Sequence, residues 1–180
     1  LSTDVIYIDF AKAFDSVSHT KLLHKIKSYG INGKLVEWIS CWMSGRTQSV
    51  KLGNFYSLPK PVISGVLQGS VLGPLLFTLF INDLVDTIPA DTHPTLFADD
   101  LKLYSDHPVI PVPNNPDYMF SPTLQTALDN LLLWSNLWQL TISIPKCSVL
   151  SISNFKSRTS RLYTINSYHL PQVTSCTDLG

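Results

Sequence analysis

Apolar and polar residues alternate through DVIYIDF (4–10), and that period of two predicts a β-strand. The spacing then becomes helical. In HTKLLHKIKSYG (19–30) Leu22, Leu23, Ile26 and Tyr29 share one side, with Ser18 placed as N-cap and Gly30 as the stop. NGKLVEWISCWMSG (32–45) repeats the pattern through Leu35, Ile39 and Trp42. RTQSVKLGNFYSLPKPV (46–62) reads as a hairpin turning at Gly53-Asn54, with Pro59 and Pro61 suited to a strand end or edge. GPLLFTLFINDLVDTI (73–88) predicts a helix with Pro74 near its first position, apolar nearly all round at its start and therefore buried there. TLFADDLKLY (95–104) predicts two short strands about a tight turn, TLQTALDNLLLWSNLWQL (123–140) an amphipathic helix, and CSVLSIS (147–153) a further strand. The stretch at 106–122 is proline-rich without periodicity and reads as an exposed loop, and the tail leaves room for a hairpin near NSYHLP. No internal repeat is present. The order β-α-α-β-β-α-β-β-α-β predicts an α+β domain with a mainly antiparallel sheet and helices packed on one face.

Composition narrows the class. With 180 residues, 44% of them hydrophobic, the chain suffices for one domain with a core. Three cysteines without a CxxC spacing argue against a disulfide framework or zinc ribbon and favour a reducing compartment. The longest apolar run, 71–81, is too short for a membrane span and contains Gly-Pro, so no membrane association is expected. The opening LSTDVIYIDF carries neither a signal peptide nor an initiator Met and reads as part of a longer polypeptide. The zero net charge hides an uneven distribution: +4 over residues 1–60, −7 over 61–145 and +3 over 146–180. An acidic middle is usually a solvated surface, and it also suits a cation site flanked by phosphate-binding ends.

Two acidic sites sit at strand ends. Asp9 closes the first strand, with Asp15 beyond it, and Asp99 and Asp100 occupy the turn of FADD. Adjacent carboxylates in an apolar context repel each other and resist burial. If the two strands pair, Asp9 and Asp99 converge on one edge of a sheet. Mg²⁺ is the counter-charge that fits: hard, oxygen-seeking, and often held by one or two carboxylates together with substrate phosphates. Two such ions are the usual machinery of in-line phosphoryl transfer. A lone Asp-Asp pair is also what an ordinary turn uses for local hydrogen bonds.

A third stretch, SGVLQGSVLGPLLFTLFINDL (64–84), runs through a Gln-Gly turn and a Leu-Gly-Pro step into the apolar helix. Together with YIDFAKAFDSVSH upstream and FADD downstream, it resembles the palm of reverse transcriptases, and most of all those of non-LTR, LINE-type retrotransposons. The likeness spans residues 4 to about 153. It implies a polymerase palm with an RRM/ferredoxin-like core, fingers and thumb incomplete. The domain would cover 1–153, with residual fingers elements at 19–62 and a Pro-rich loop at 106–122, and 154–180 would lead toward a missing thumb. Asp9 and Asp99 resemble the ligands of two catalytic Mg²⁺ ions, for which Mn²⁺ is an alternative. Asp100 resembles their supporting neighbour, and the Phe10 backbone carbonyl an extra metal ligand. Phe14, beside Ala13 in the nucleotide-binding stretch, matches an aromatic gate beneath the incoming sugar; its spacing equally suits ordinary core. Gln68 and Gly69 match the Gln-Gly that lies against nucleotide and template. Lys146 matches a lysine near the leaving pyrophosphate, though a solvated surface lysine reads the same. Arg46 falls where the family commonly has an Arg.

The implied partners are an RNA template, a DNA primer and deoxynucleoside triphosphates, with the parent protein acting in the nucleus. Ser143-Ile144-Pro145-Lys146 departs from the family's Asn-x-x-Lys. With fingers and thumb incomplete, this chain alone is expected to polymerise poorly. The rival readings are a catalytically inactive palm kept as a nucleic-acid-binding or scaffold module, a group II intron or telomerase-like enzyme, and an unrelated Mg²⁺-dependent phosphohydrolase. The Leu-Gly-Pro step leans away from the intron enzymes.

Overall fold

The computed structural model describes residues 2–106, 109–153 and 160–176. In chain order its elements are β1 (Ser2–Ile8), α1 (Ala13–Ser16), α2 (His19–Ser28), α3 (Lys34–Met43), β2 (Thr47–Gln48), β3 (Lys51–Leu52), β4 (Phe55–Tyr56) and β5 (Lys60–Pro61). There follow α4 (Leu72–Ile81), β6 (His93–Phe97), β7 (Asp100–Ser105), β8 (Ile110–Val112), β9 (Asn115–Phe120), α5 (Pro122–Trp138) and β10 (Ser148–Ser153). The last four are β11 (Ser160–Arg161), β12 (Thr164–Ile165), β13 (Tyr168–His169) and β14 (Gln172–Val173). Two compact units emerge, one from residues 1–11 with 83–180 and the other from residues 12–82.

The first unit is built on a five-stranded sheet in the order β14-β10-β1-β7-β6, antiparallel except where β14 runs parallel to β10. Alternation along β1 buries Asp4, Ile6 and Ile8 on one face, and Leu101 and Leu103 of β7 are buried likewise. Helix α5 packs against β7 and buries Leu124, Ala127, Leu128 and Leu131, the recurrence of a helical stripe. Its N-cap Ser121 accepts the Leu124 N–H, and Pro122 fills the first turn, where no intrahelical N–H is required.

Asp4 is the exception on the apolar face of β1, only 1% exposed, and both of its carboxylate oxygens accept hydrogen bonds. Oδ1 accepts from Ser151 Oγ at 2.6 Å and Arg161 Nε at 2.9 Å, and Oδ2 accepts from Tyr163 Oη at 2.6 Å. The Tyr163 oxygen in turn accepts the Ser121 N–H at 2.9 Å. One buried carboxylate thus ties β1 to β10, to β11, to the segment before β12 and to the start of α5.

In the second unit α2 packs against α3 and α4. Helix α4 buries Gly73, Leu76, Phe77, Phe80 and Ile81, as its nearly all-apolar sequence predicts. Lys25 of α2 is 2% exposed; its ammonium donates to the Phe80 carbonyl and lies 4.8 Å from the Phe80 ring centroid. A cation there meets the negative dipole end of α4. Residues 46–62 form a two-stranded arm: Thr47↔Pro61, Gln48↔Lys60, Lys51↔Tyr56 and Leu52↔Phe55 are paired, and Ser57 N–H donates to the Val50 carbonyl at 2.9 Å.

Gly65 holds the start of the Gln-Gly segment against α1. Its φ is +91°, and an added Cβ would come within 2.8 Å of the Asp15 backbone. Its N–H donates to the Val17 carbonyl at 2.8 Å and its carbonyl accepts from His19 Nε2 at 2.8 Å. Gly65→Ala therefore combines a left-handed backbone with overlap against main chain and is expected to cost about 3 kcal/mol. Gly53→Ala, at φ +60° with open space around its Cβ, is expected to cost about 1 kcal/mol. Urea unfolding of the two variants checks the contrast.

The structure differs from four sequence expectations. The segment 106–122 is not a plain loop: its described part holds the β8–β9 hairpin. Proline is tolerated because β8, with Pro111, is an edge strand and Pro116 stands near the start of β9. Helix α3 buries Val36, Ile39 and Met43 instead of the stripe through Leu35 and Trp42, and Leu35 is exposed. Both stripes are apolar, and contact with α2 selects the first. Ser18 takes the N-cap position of α2 without a side-chain capping bond. The helix expected over 73–88 is α-helical to Ile81 and a 3₁₀ turn through Asn82–Thr87. Among the described residues no helix is long and apolar enough to cross a membrane.

Candidate active site

Strand register brings the acidic residues of the first unit together. Ile8 pairs with Leu101 and Phe97 pairs with Asp100, so Asp9 emerges from β1 beside the β6–β7 turn formed by Ala98 and Asp99. Ala98 adopts φ 52°, a left-handed conformation that a residue with a Cβ seldom takes, and such strain concentrates at functional sites. On the other side the chain passes Asp9 through an isolated bridge between Phe10 and Ile142. The Asp9 carbonyl accepts the Ser143 N–H, and the Ala11 N–H donates to the Thr141 carbonyl, both at 2.8 Å. Those bonds flank Phe10, so antiparallel geometry turns the Phe10 carbonyl away from Ile142. The Phe10 ring is buried, edge-on to Trp134 at 6.5 Å.

The negative charge of the cluster is only partly balanced, by Lys146. Asp9 Oδ2 is buried without a hydrogen-bond partner, although the side chain as a whole is 32% exposed. Lys146 Nζ stands 3.3 Å from that oxygen, an ion-pair distance without hydrogen-bond alignment. Burial pushes the Asp99 carboxyl above its ordinary value; a local backbone hydrogen bond lowers it, the like charges of Asp100 and Asp9 raise it further, and Lys146 opposes them. Asp9, Asp99, Asp100 and Lys146 are thus close enough to act on one proton. Asp100 itself is exposed at the start of β7. Cys147, buried beside Asp9, has its thiol pushed up by burial first and then by the Asp9 charge.

An orphaned carboxylate oxygen and a carboxyl destabilised by like charges are the deficits a hard divalent cation corrects. The donor set fits Mg²⁺, which takes few protein carboxylates and keeps positions for water and phosphate. Among the described residues no group of three or more His, Cys, Asp or Glu is placed so that it could hold a metal ion.

The remaining candidates belong to the second unit. Ala13 is buried, and the Phe14 ring stacks on Phe77 at 4.1 Å with 18° between planes. Gln68 and Gly69 are exposed, Gly69 at φ +79°. Gln68 Nε2 donates to Asp15 Oδ1 at 2.7 Å. A carboxylate only accepts, so this bond fixes the amide orientation and leaves Gln68 Oε1 available. A cavity of about 560 Å³ opens here, lined among others by Lys12, Asp15, Arg46 and Gln68. Sequence reasoning passed over the Asp15–Gln68 bond and Cys147. The Asp15 link spans 53 residues and had no local signal, while Cys147 read only as the start of a strand.

This chain belongs to the reverse transcriptase (RNA-dependent DNA polymerase) family, whose model matches residues 2–180. Its curated relatives include the RNA-directed DNA polymerase from mobile element jockey of Drosophila melanogaster. It is 30% identical over 151 residues, covering 82% of this chain and 16% of the relative. The probable RNA-directed DNA polymerase from transposon BS of the same fly is 31% identical over 152 residues, with 79% and 16% covered. The Pol polyprotein of the type-2 retrotransposable element R2DM, also from that fly, is 27% identical over 154 residues, with 81% and 13% covered. The resemblance to non-LTR retrotransposon polymerases is thereby borne out, and the chain spans 16% of the length of the jockey and BS relatives. Among solved structures, apo telomerase from Candida tropicalis shares the fold at TM-score 0.63 and 15% identity, covering 87% of this chain and 32% of that one.

Proposed function

We propose that this chain is the palm of an RNA-templated DNA polymerase belonging to a retrotransposon protein, and that Asp9 and Asp99 hold its divalent ions. The observation that carries this reading is the pairing of the orphaned Asp9 oxygen with the like-charged Asp99 at one end of the sheet. The strand order β10-β1-β7-β6 within a β-α-β-β-α-β succession supports an RRM/ferredoxin-like core. A telomerase of Candida tropicalis is described in complex with a fragment of telomeric RNA, which is in keeping with an RNA template here. The other partners would be a DNA primer and deoxynucleoside triphosphates, and the parent protein would act in the nucleus.

Two Mg²⁺ ions, or Mn²⁺ in their place, would when bound supply Lewis-acid activation for a primer 3′-hydroxyl and charge stabilisation for a departing pyrophosphate. The chain's own residues bind and orient. Asp9 and Asp99 supply carboxylate oxygens, with the Phe10 carbonyl and Asp100 in support. Lys146 offers positive charge and a proton donor for the leaving group. Ala13, Phe14, Gln68 and Gly69 receive the nucleotide: the Phe14 ring, held by Phe77, presents a flat surface to the sugar, and Gly69 permits close backbone approach. Sequence is read by base pairing, so the protein follows backbone shape and charge.

The test is Mg²⁺-dependent extension of a DNA primer on an RNA template by the parent polypeptide, beside its Asp9→Asn variant. Extension should fall by at least about a hundredfold. Equal rates would remove the reading and leave a binding module.

A further inference from the structure

The Gln-Gly segment is clamped at both ends. At its start the main chain lies along α1 and the residues that follow it: the Val66 N–H donates to the Phe14 carbonyl and the Gly65 N–H to the Val17 carbonyl, both at 2.8 Å. Ser64 Oγ donates to the Asp15 carbonyl at 2.9 Å. At its end the Ser70 hydroxyl closes the turn. It donates to the Leu67 carbonyl at 2.6 Å and accepts the Gly73 N–H at 2.9 Å, one of the donors that the first turn of α4 leaves over. Gln68 stands between the clamps with its side chain exposed. An exposed glutamine spreads over several rotamers unless a partner selects one. Asp15 is that partner: Gln68 Nε2 donates to its Oδ1 at 2.7 Å, across 53 residues of chain. The kind of partner matters as much as its place. A hydroxyl or an amide can meet either end of a glutamine, whereas a carboxylate only accepts, so Nε2 faces Asp15 and Oε1 faces the other way. Both residues line the cavity of about 560 Å³, as do Lys12 and Arg46.

We propose that Asp15 is a positioning residue for nucleotide binding: it orients the Gln68 amide so that Oε1 meets the incoming nucleotide as a hydrogen-bond acceptor. The proposal rests on the polymerase reading for the identity of that ligand. An amide turned the other way presents two N–H donors in place of one acceptor, and a hydroxyl or amino group of the nucleotide then loses its partner. Asp15 needs no contact with the nucleotide to exert this effect; what it contributes is an acceptor that cannot become a donor. The cations in the same cavity offer Asp15 a different role, as a counter-charge, and asparagine separates the two. Asp15→Asn removes the charge and keeps the size, but its own amide can accept or donate, so Gln68 takes both orientations. With half of the molecules competent, apparent nucleotide affinity falls about twofold. Asp15→Ala releases the side chain altogether, and the loss of the bond is worth about fivefold.

The kinetic test uses the parent polypeptide with a DNA primer on an RNA template. Asp15→Ala should raise KM for the deoxynucleoside triphosphate about fivefold with kcat nearly unchanged, as loss of ground-state binding does. Asp15→Asn should raise it about twofold. In a Gln68→Ala background Asp15→Ala should add nothing, because a residue that acts through another has no effect once the other is gone. An independent readout is the Gln68 side-chain amide in the nitrogen-15-labelled 180-residue chain. Its two Nε2 protons should be well separated in chemical shift, one bonded and one not, and Asp15→Ala should bring them together. The clamps use the main chain of Asp15 and not its side chain, so these variants keep the fold, which circular dichroism checks. Asp15→Asn as damaging as Asp15→Ala would overturn the proposal in favour of the counter-charge role. So would additive effects of Asp15→Ala and Gln68→Ala, or an amide resonance indifferent to Asp15. Equal extension by the parent and its Asp9→Asn variant removes the polymerase reading alone, and the amide resonance still decides whether Asp15 orients Gln68.

Discussion

Asp4→Ala is expected to destabilise the first unit by about 3–5 kcal/mol, seen as a lower urea midpoint at unchanged slope. Arg161 is the reason. Its side chain is 5% exposed and its Nε is bound to Asp4 at 2.9 Å, so removing the carboxylate strands a buried cation. The Tyr163 and Ser151 hydroxyls lose their acceptor as well. A buried ion pair need not outperform a hydrophobic one, because desolvation offsets much of the attraction. Asp4→Leu combined with Arg161→Met should therefore recover most of the loss, and persistence of the full loss in the double variant would show that the network does more than balance charge. Tyr163→Phe is the milder lesion, about 1–3 kcal/mol, since it leaves the buried Ser121 N–H without an acceptor. Burial first, and then the Asp4 charge, push the Tyr163 phenol well above its ordinary range. Above pH ~10 an unfolded tyrosine loses its proton while the folded one keeps it, so stability should fall as the medium becomes alkaline, and Tyr163→Phe should lessen that fall.

This network was invisible in the sequence for a definite reason. Within DVIYIDF an aspartate at position 4 looks like the solvent end of a strand, and its partners Ser151, Arg161 and Tyr163 lie 147 to 159 residues away. Local patterning registers neighbours, not closures of that length. The opposite held for the carboxylates of the site. Asp9 and Asp99 each end a short alternating stretch, so both strands followed from period; their pairing was a condition that period could not supply, and Ile8↔Leu101 is the register that unites them. The arm was legible from Gly53-Asn54 between two polar-apolar runs. The β8–β9 hairpin was not, because its prolines mask strand character that edge pairing restores. Which stripe of α3 is buried was decided by α2, a tertiary choice between two apolar faces of similar quality.

Asp99→Asn should set stability against activity. In the fold the Asp99 carboxyl holds its proton more tightly than in the unfolded chain, through burial and then the charges of Asp100 and Asp9. Below the ordinary carboxylate pKa both states are protonated and this residue carries no penalty. As pH rises through the elevated folded value, the carboxylate ionises against its neighbours and the fold loses that margin. Without divalent ions, the asparagine variant should therefore be the more stable protein at neutral pH, and its stability should fall less between pH 4 and pH 7. Added Mg²⁺ should reverse the ranking: a ligand that binds only the folded state raises the melting temperature of the parent sequence in proportion to its occupancy, and the variant has lost the charge that attracts it. In the parent polypeptide the same change should slow nucleotide addition by about a thousandfold or more, the scale of several kcal/mol of transition-state stabilisation. A variant less stable than the original in chelator, or equally stabilised by Mg²⁺, would mean that the repulsion between Asp9 and Asp99 is not what a metal ion relieves. The two measurements read one electrostatic conflict, which costs the fold stability when the site is empty and gives the cation its hold when it is filled.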